Sequence, residues 1–354
     1  MKRLVALCMC VVLLLCGSGC AQQSTKTKYS NYYFDYFDTV STIIGYEQTQ
    51  EAFDATCAEI AALLEKYHRL YTIYSRFENF TNLVTVNDLN KGEHAVVRVD
   101  PELMDMLVFA KKMYAKTDGY VNVAMGSVLK IWHVYRNEGL DDPSIAALPP
   151  MDKLTAAAQH TDIDNLVLDE QNGTVYLADP QMTLDVGAIA KGYAVEAVAR
   201  YLKNKGITGY LLNVGGNVCT IGMAGDGDKP WNVGIENPDR EDTEKPYIEY
   251  LHLTDRSLVT SGSYQRYYEV DGQKYHHIID PDTLMPGTNY RSVSVLAADS
   301  GLADAFSTAL FLMPYEQGKA LVEATEDVEA MWVMPDGEQR YSAGFKAYTY
   351  VPEK

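Results

Sequence analysis

Asp304 and Thr308 stand four residues apart in the segment Asp304-Ala-Phe-Ser-Thr308. On a helix that spacing puts a carboxylate and a hydroxyl on one face, where both can meet one ion. Hard oxygen ligands of this kind suit Mg²⁺, which keeps waters and phosphate oxygens in its other positions. The same spacing also serves a plain side-chain contact, although the neighbours Ala303, Ala305, Phe306 and Leu310 argue against a fully solvated face. A second segment, Asp185-Val-Gly-Ala-Ile-Ala-Lys-Gly-Tyr-Ala194, opens a helix. Free N–H groups and the positive dipole end favour a phosphate there, and Lys191 adds a cation one turn in. The alternative is a helix start packed closely on a sheet, with Lys191 in solvent.

Two further segments add groups that could act on such a ligand. Thr260-Ser-Gly-Ser-Tyr264 offers the Ser261 hydroxyl and the flexible backbone of Gly262. His277-Ile-Ile-Asp-Pro281 carries a side chain able to work as a general base near neutral pH. Strand alternation sends the adjacent His276 to the opposite face, as a buried, hydrogen-bonded residue. Asn213-Val-Gly-Gly-Asn217 follows an apolar strand, and its glycines suit either close approach to a ligand or a tight turn. No GxxxxGK[ST], GxGxxG, GxSxG or HExxH pattern occurs, so any nucleotide is held by other means.

The elements that must position these groups alternate between helical and strand periods. A β-branched run at Tyr36–Gly45 predicts a strand, and Phe53, Cys57, Ile60, Ala61, Leu64 and His68 predict one face of a helix over Gln48–Tyr71. Asp100-Pro101 is an N-cap followed by proline at N1, opening a helix that Thr117-Asp118-Gly119 stops. Gly139–Pro150 reads as loop. Strands are predicted at Asn165–Leu168, Thr174–Leu177, Tyr210–Val214, Trp231–Ile235, Ile248–Leu253, Ser257–Thr260, Arg291–Leu296, Ala330–Met334 and Ala347–Val351, with helices at Ala188–Asn204, Leu302–Leu312 and Tyr315–Ala324. Strand runs mixed with a few helices indicate an α+β protein, one large domain around a mainly antiparallel sheet flanked by helices.

The leader decides the expected location. Lys2 and Arg3 precede the apolar run Leu4–Leu15, then Gly17, Ser18, Gly19 and Cys20. This order reads as a lipoprotein signal over residues 1–19, with lipidation of Cys20 and a polar tether over residues 20–31 before a body at 32–354. Gly17 stands where the lipidation signal usually has Leu. The mature chain is therefore expected to be exported and lipid-anchored to the outer face of the cytoplasmic membrane, on its periplasmic or extracellular side. Four of the six cysteines lie in the leader; Cys57 and Cys219 make no disulfide framework, and Cys57 belongs to the core. Removing Lys2 and Arg3 takes the net charge from −18 to −20, which argues against nucleic acid and against docking to anionic lipid.

Taken in order, DVGAIAKGYA (Asp185–Ala194), NVGG (Asn213–Gly216), WNVGI (Trp231–Ile235), TSG (Thr260–Gly262), HIIDP (His277–Pro281) and DAFSTAL (Asp304–Leu310) resemble the FAD:protein FMN transferase (ApbE) family. The likeness extends more loosely to Ser75–Asn87 and Thr117–Gly126. It implies an ApbE-like, T-fold-related architecture, with FAD in a cleft and Mg²⁺ on the diphosphate. FMN would pass to a Thr or Ser of a target protein as a phosphoester, releasing AMP. Carried over by motif, the Ala188 carbonyl, the Asp304 carboxylate and the Thr308 hydroxyl would hold the metal. Asp185, Lys191, Tyr120, Val121, Asn122 and Ile278 would contact FAD, with Phe37 and Phe77 around the nucleotide and His277 taking the acceptor's proton. The chain departs from the family in reading Asn122-Val-Ala-Met-Gly126 for Asp-Pro-Thr-Val-Gly, in Glu196 for Asp, and in Leu284 where Gly is usual. Expected acceptors are extracytoplasmic subunits of membrane redox complexes. The alternatives are an FAD pyrophosphatase using water as acceptor and an exported flavin carrier without chemistry.

Overall fold

The computed structural model describes residues 25–352 apart from Asn79, so the leader, Cys20 and most of the tether lie outside the described residues. Thr27–Asn31, read from sequence as tether, instead form the first half of a strand. The reason is cross-strand pairing that a polar composition does not reveal: Tyr29 and Tyr33 lay their rings against the first helix, while Tyr32 and Phe34 face solvent.

An eight-stranded sheet forms the frame, every neighbouring pair antiparallel. In spatial order its strands are β1 (Thr27–Tyr36), β2 (Thr39–Glu47), β6 (Tyr210–Val214), β7 (Asn217–Ile221), β10 (Ser257–Gly262), β13 (Ser292–Ala297), β14 (Glu329–Val333) and β15 (Gln339–Tyr341). The central strands are covered on both faces, which is why β6, β7 and β14 read as nearly continuous apolar runs rather than as alternation. Val259, Val293, Val295 and Trp332 enter the core beneath the helices, whereas Leu258, Leu296, Met331 and Val333 meet the hairpin of β8 (Trp231–Glu236) and β9 (Tyr247–Leu253).

Helices α1 (Gln50–Tyr71), α6 (Ala190–Asn204) and α7 (Ser300–Leu312) cover the first face. Thr49 caps α1 by accepting from Ala52 N, and Asp100 caps α3 (Pro101–Lys116) as its sequence predicts. Cys57 is buried, and burial pushes its thiol up to about 12.

Other segments depart from the sequence reading. Helices α2 (Leu83–Glu93), α4 (Gly126–Asp141) and α5 (Met151–Ala158) occupy stretches without a predicted helix. A strap of β3 (Val97–Arg98), β5 (Thr174–Leu177) and β4 (Leu166–Asp169) lies beside them. The hairpin of β11 (Tyr267–Val270) and β12 (Gln273–His276) ends at His276, so His277 is the first residue beyond it. Predicted strand Tyr36–Gly45 is broken by a left-handed turn at Phe37 and Asp38, which starts β2 later. Predicted strand Ala347–Val351 overlaps a single 3₁₀ turn at Phe345–Tyr348. The edge strand lies earlier, after the Asp336-Gly337 turn, where Gly337 at φ +90 reverses the chain. Between α7 and β14 lies α8 (Tyr315–Glu323), which buries Gly318 and Val322. No described helix is long and apolar enough to cross a membrane.

Candidate active site

The crossing of α6 and α7 is built backbone to backbone. A Cβ on Gly192 would stand 2.3 Å from the Ser300 carbonyl oxygen and 2.4 Å from Asp304 Cβ, so only glycine fits. This closeness lets the Gly192 amide donate to Asp304 Oδ2 at 2.8 Å. In a regular helix that amide would bond the Ala188 carbonyl four residues back. Diverting it leaves the Ala188 carbonyl free of that partner, at the exposed start of α6. The helices run antiparallel here, since Glu196 Oε2 accepts from Ser300 N at 3.0 Å one turn further along α6. One turn in the other direction therefore brings Ala188 and Thr308 toward the same end. Asp304 is 4% exposed and keeps Oδ1 without a hydrogen bond; the Thr308 hydroxyl likewise has no partner among the described residues. A carbonyl, a carboxylate oxygen and a hydroxyl, all unsatisfied at one helix crossing, are a donor set that fits Mg²⁺. No group of three or more His, Cys, Asp or Glu side chains that could hold a metal occurs among the described residues, so side-chain acids and imidazoles alone make no such site.

His277 sits at the end of β12, facing this crossing. Its Nδ1–H donates to the Arg266 carbonyl at 3.2 Å, which leaves Nε2 as the bare lone pair of a neutral ring. The residue is exposed to water although protein atoms crowd its ring. Desolvation, then the positive charge of Arg266 and that of Lys191, hold its pKa down to about 3. Lys191 is thus close enough to be felt by His277, as a shared phosphate site requires. Arg266 in turn donates to the Asp38 carbonyl at 2.9 Å, joining the hairpin to the Phe37-Asp38 turn. The adjacent His276 is buried and uses both nitrogens, donating to Gly287 O at 2.7 Å and accepting from Ile278 N at 3.2 Å. Its structural role agrees with the alternation argument.

Asp185 is 8% exposed; Oδ1 accepts from Gly187 N at 2.8 Å, shaping the turn into α6. Phe37 donates its amide to His68 Nδ1 at 3.1 Å and sets its ring edge-on to that imidazole. Tyr120 and Asn122 line a cleft of 430 Å³ closed by Thr161, Pro281 and Asp282. Asn122 braces that wall, donating to Thr161 O at 2.8 Å and accepting from Ala124 N at 2.9 Å.

Other expected residues are placed differently. Val121 and Ile278 bury their side chains in the main core, so their side chains are not free for a ligand. Ile278 also has both backbone polar groups engaged, by His276 and by Gly287 N. Gly262 is not a mobile loop residue but the last residue of β10, paired with Ser292 beneath the Tyr264 ring. The Ser261 hydroxyl is spent on Ser307 Oγ at 2.8 Å. Phe77 packs against Phe80 and under the Arg69 guanidinium, 5.1 Å from its ring. Leu284, where the family has glycine, takes φ 59; its side chain is buried beside Trp132, whose Nε1–H donates to Leu284 O at 3.0 Å.

Sequence reasoning did not single out Arg266, nor His133 and Tyr74, which the structure brings near Asp185: His133 Nε2 lies 3.9 Å from Asp185 Oδ2 and the Tyr74 hydroxyl 3.5 Å from His133 Nδ1. The spacing of Val128 and Trp132 could have revealed α4, but no local signal aims His133 at Asp185.

The ApbE family pattern matches residues 37–332. An FAD:protein FMN transferase of Treponema pallidum is 36% identical over 263 residues, 71% of this chain and 70% of that protein. One from Klebsiella pneumoniae is 34% identical over 71% of this chain and 77% of its own length. The ApbE protein of Thermotoga maritima shares the fold at TM-score 0.77 and 26% identity, covering 92% of this chain and all of that one. The flavin transferase ApbE from Vibrio cholerae does so at TM-score 0.74 and 25% identity, over 91% of this chain and 99% of its own. With its helix crossing, its motifs and its eight-stranded sheet, this chain belongs to the ApbE family.

Proposed function

We propose that this protein transfers the FMN half of FAD to a threonine or serine hydroxyl of other proteins. The observation that carries the reading is the meeting of the freed Ala188 carbonyl, Asp304 and Thr308 at the same helix start that presents Lys191, with His277 opposite. His277 Nε2, held as the neutral tautomer, takes the proton of the acceptor hydroxyl. The hydroxyl oxygen attacks the FMN-side phosphorus, the diphosphate P–O bond breaks, and AMP leaves with the bond's electron pair. Desolvation foremost, then the charges of Arg266 and Lys191, depress the basicity of His277, and an incoming diphosphate offsets the two charges and strengthens the base by that part. Asp304, Thr308 and the Ala188 carbonyl would hold Mg²⁺, which when bound neutralises charge developing on the phosphate oxygens. The 430 Å³ cleft beside Tyr120 and Asn122 is the room available for the rest of the nucleotide.

A second reading is hydrolysis of FAD to FMN and AMP. It is favoured by the exposed ring of His277, which water can reach as readily as a protein hydroxyl. Mass spectrometry of a threonine-bearing acceptor domain incubated with the protein, FAD and Mg²⁺ separates the two. Addition of FMN mass to the acceptor supports transfer; free FMN and AMP with unlabelled acceptor supports hydrolysis. Absence of any turnover would leave a flavin carrier.

The leader supports export and lipidation at Cys20, holding the enzyme at the outer face of the cytoplasmic membrane near extracytoplasmic redox subunits. Replacing Cys20 with serine should move the protein from the membrane to the soluble exported fraction.

A further inference from the structure

A second imidazole stands at the site. His133, on α4, points its Nε2 at Asp185 Oδ2 from 3.9 Å, while the Tyr74 hydroxyl lies 3.5 Å from its Nδ1. The three residues come from separate parts of the chain: the loop after α1, the middle of α4, and the turn leading into α6. We propose that His133 is a positioning residue that holds the Asp185 carboxylate in its FAD-binding orientation, with Tyr74 setting its tautomer; this rests on the flavin-transfer reading above.

The chemistry of the three groups orders the hydrogens. Asp185 is an acceptor only, so the proton between it and His133 belongs to Nε2. Nδ1 then carries a lone pair, and the Tyr74 hydroxyl is the donor placed to meet it. This is the arrangement by which one ring nitrogen is fixed through the partner of the other. Burial works against protonation of His133 and the nearby Arg136 adds to that, whereas Asp185 works for it; the balance lies below the ordinary histidine value. A neutral donor is therefore what faces Asp185. At 3.9 Å the contact is longer than a hydrogen bond, so the two side chains must approach by about 1 Å when FAD binds to form one.

Asp185 needs such a partner. Its Oδ1 accepts from Gly187 N, and Oδ2 has no hydrogen-bond partner among the described residues. His133 also lines a small void of 10 Å³ with Arg136, Tyr275 and His277, room for about one water. The same side chain thus borders both the carboxylate expected to touch FAD and the ring expected to take the acceptor's proton. Nothing in the packing demands a histidine here: its side chain is 21% exposed, and the neighbouring Trp132 carries the burial of α4.

The test is a titration of the full-length protein with FAD, followed by flavin fluorescence without acceptor, together with steady-state transfer to a threonine-bearing acceptor. His133→Ala should raise both the FAD Kd and the KM for FAD about tenfold, as loss of one hydrogen bond to a charged group does, with kcat held within about threefold. His133→Gln, whose amide N–H can reach the Nε2 position, should return both to within about threefold of the native protein. Tyr74→Phe should produce a smaller shift in the same direction. Native-like FAD affinity in the alanine variant, or no rescue by glutamine in a variant that melts like the native protein, would overturn the proposal. Should the native protein bind FAD but transfer no FMN, the flavin-transfer reading falls and the Kd series still decides His133. Should it bind no FAD at all, both fall.

Discussion

Replacing Gly192 with alanine tests the crossing on which the site depends. The new methyl carbon would stand 2.3 Å from the Ser300 carbonyl oxygen and 2.4 Å from Asp304 Cβ, against an ordinary contact of about 3.4 Å or more. Neither obstacle is the tip of a flexible side chain, so α6 and α7 must separate by about 1 Å. Overpacking of this kind costs about 1–3 kcal/mol. Separation also lengthens the Gly192 amide bond to Asp304, a charge-assisted hydrogen bond that contributes about 1.5–3 kcal/mol. The two together predict a loss of about 2.5–6 kcal/mol, a large part of the roughly 5–15 kcal/mol that holds a typical protein folded. Urea unfolding followed by the fluorescence of the buried Trp132, Trp231 and Trp332 reads it as a lower midpoint with unchanged slope. Gly216→Ala is the control, since that glycine has φ +92 but open space around it, and strain alone should cost about 1–2 kcal/mol. A Gly192→Ala midpoint equal to that of the control would refute the close crossing, and with it the diverted hydrogen bond that frees Ala188.

The remaining tests address the chemistry and its support. His277→Ala should abolish FMN transfer while FAD binding stays within about threefold; transfer near the native rate would remove His277 from the mechanism. Asp304→Asn keeps an acceptor for Gly192 but loses the charge, so the Mg²⁺ concentration for half-maximal transfer should rise at least about tenfold, and an unchanged Mg²⁺ titration would exclude Asp304 as a ligand. Stability should fall on acidification below the ordinary histidine value of 6.5: burial holds His68, His133 and His276 lower in the folded chain, so the unfolded chain takes up protons that the folded one does not. A urea midpoint unchanged between pH 7 and pH 5 would contradict this. Burial, then Asp299, raises the Glu196 carboxyl, so the folded chain favours its protonated form and the charged form is destabilising at pH 7. Glu196→Gln retains an acceptor for Ser300 N and should leave the midpoint equal or higher at neutral pH; a clear drop would show that the charge itself is needed to cap α7.

Much of the fold and site was legible along the chain because it depends on near neighbours. Strands Thr174–Leu177 and Tyr210–Val214 and the Asp100 cap lie where composition and period place them, since propensity and capping are set within a few residues. Asp304 and Thr308 share a helix face for the same local reason. Strand alternation also separated His277 from His276 correctly. Whether the Asp304 carboxylate meets a helix start or solvent is a different kind of question. Its answer is a 2.8 Å bond across 112 residues, made possible by one glycine at a crossing that no local spacing encodes. Likewise, Val121, Ile278 and Gly262 stood in segments expected at the ligand, and only packing put them in the core or the sheet ladder. His133 and Tyr74 carry no signal of their own, because their meeting with Asp185 depends on how α4, the loop after α1 and the turn before α6 converge. Sequence by itself determined which groups were available and which local elements carried them. Tertiary structure decided which of them face one another, because side-chain proximity is set by the joint burial of helices and sheet rather than by any one segment.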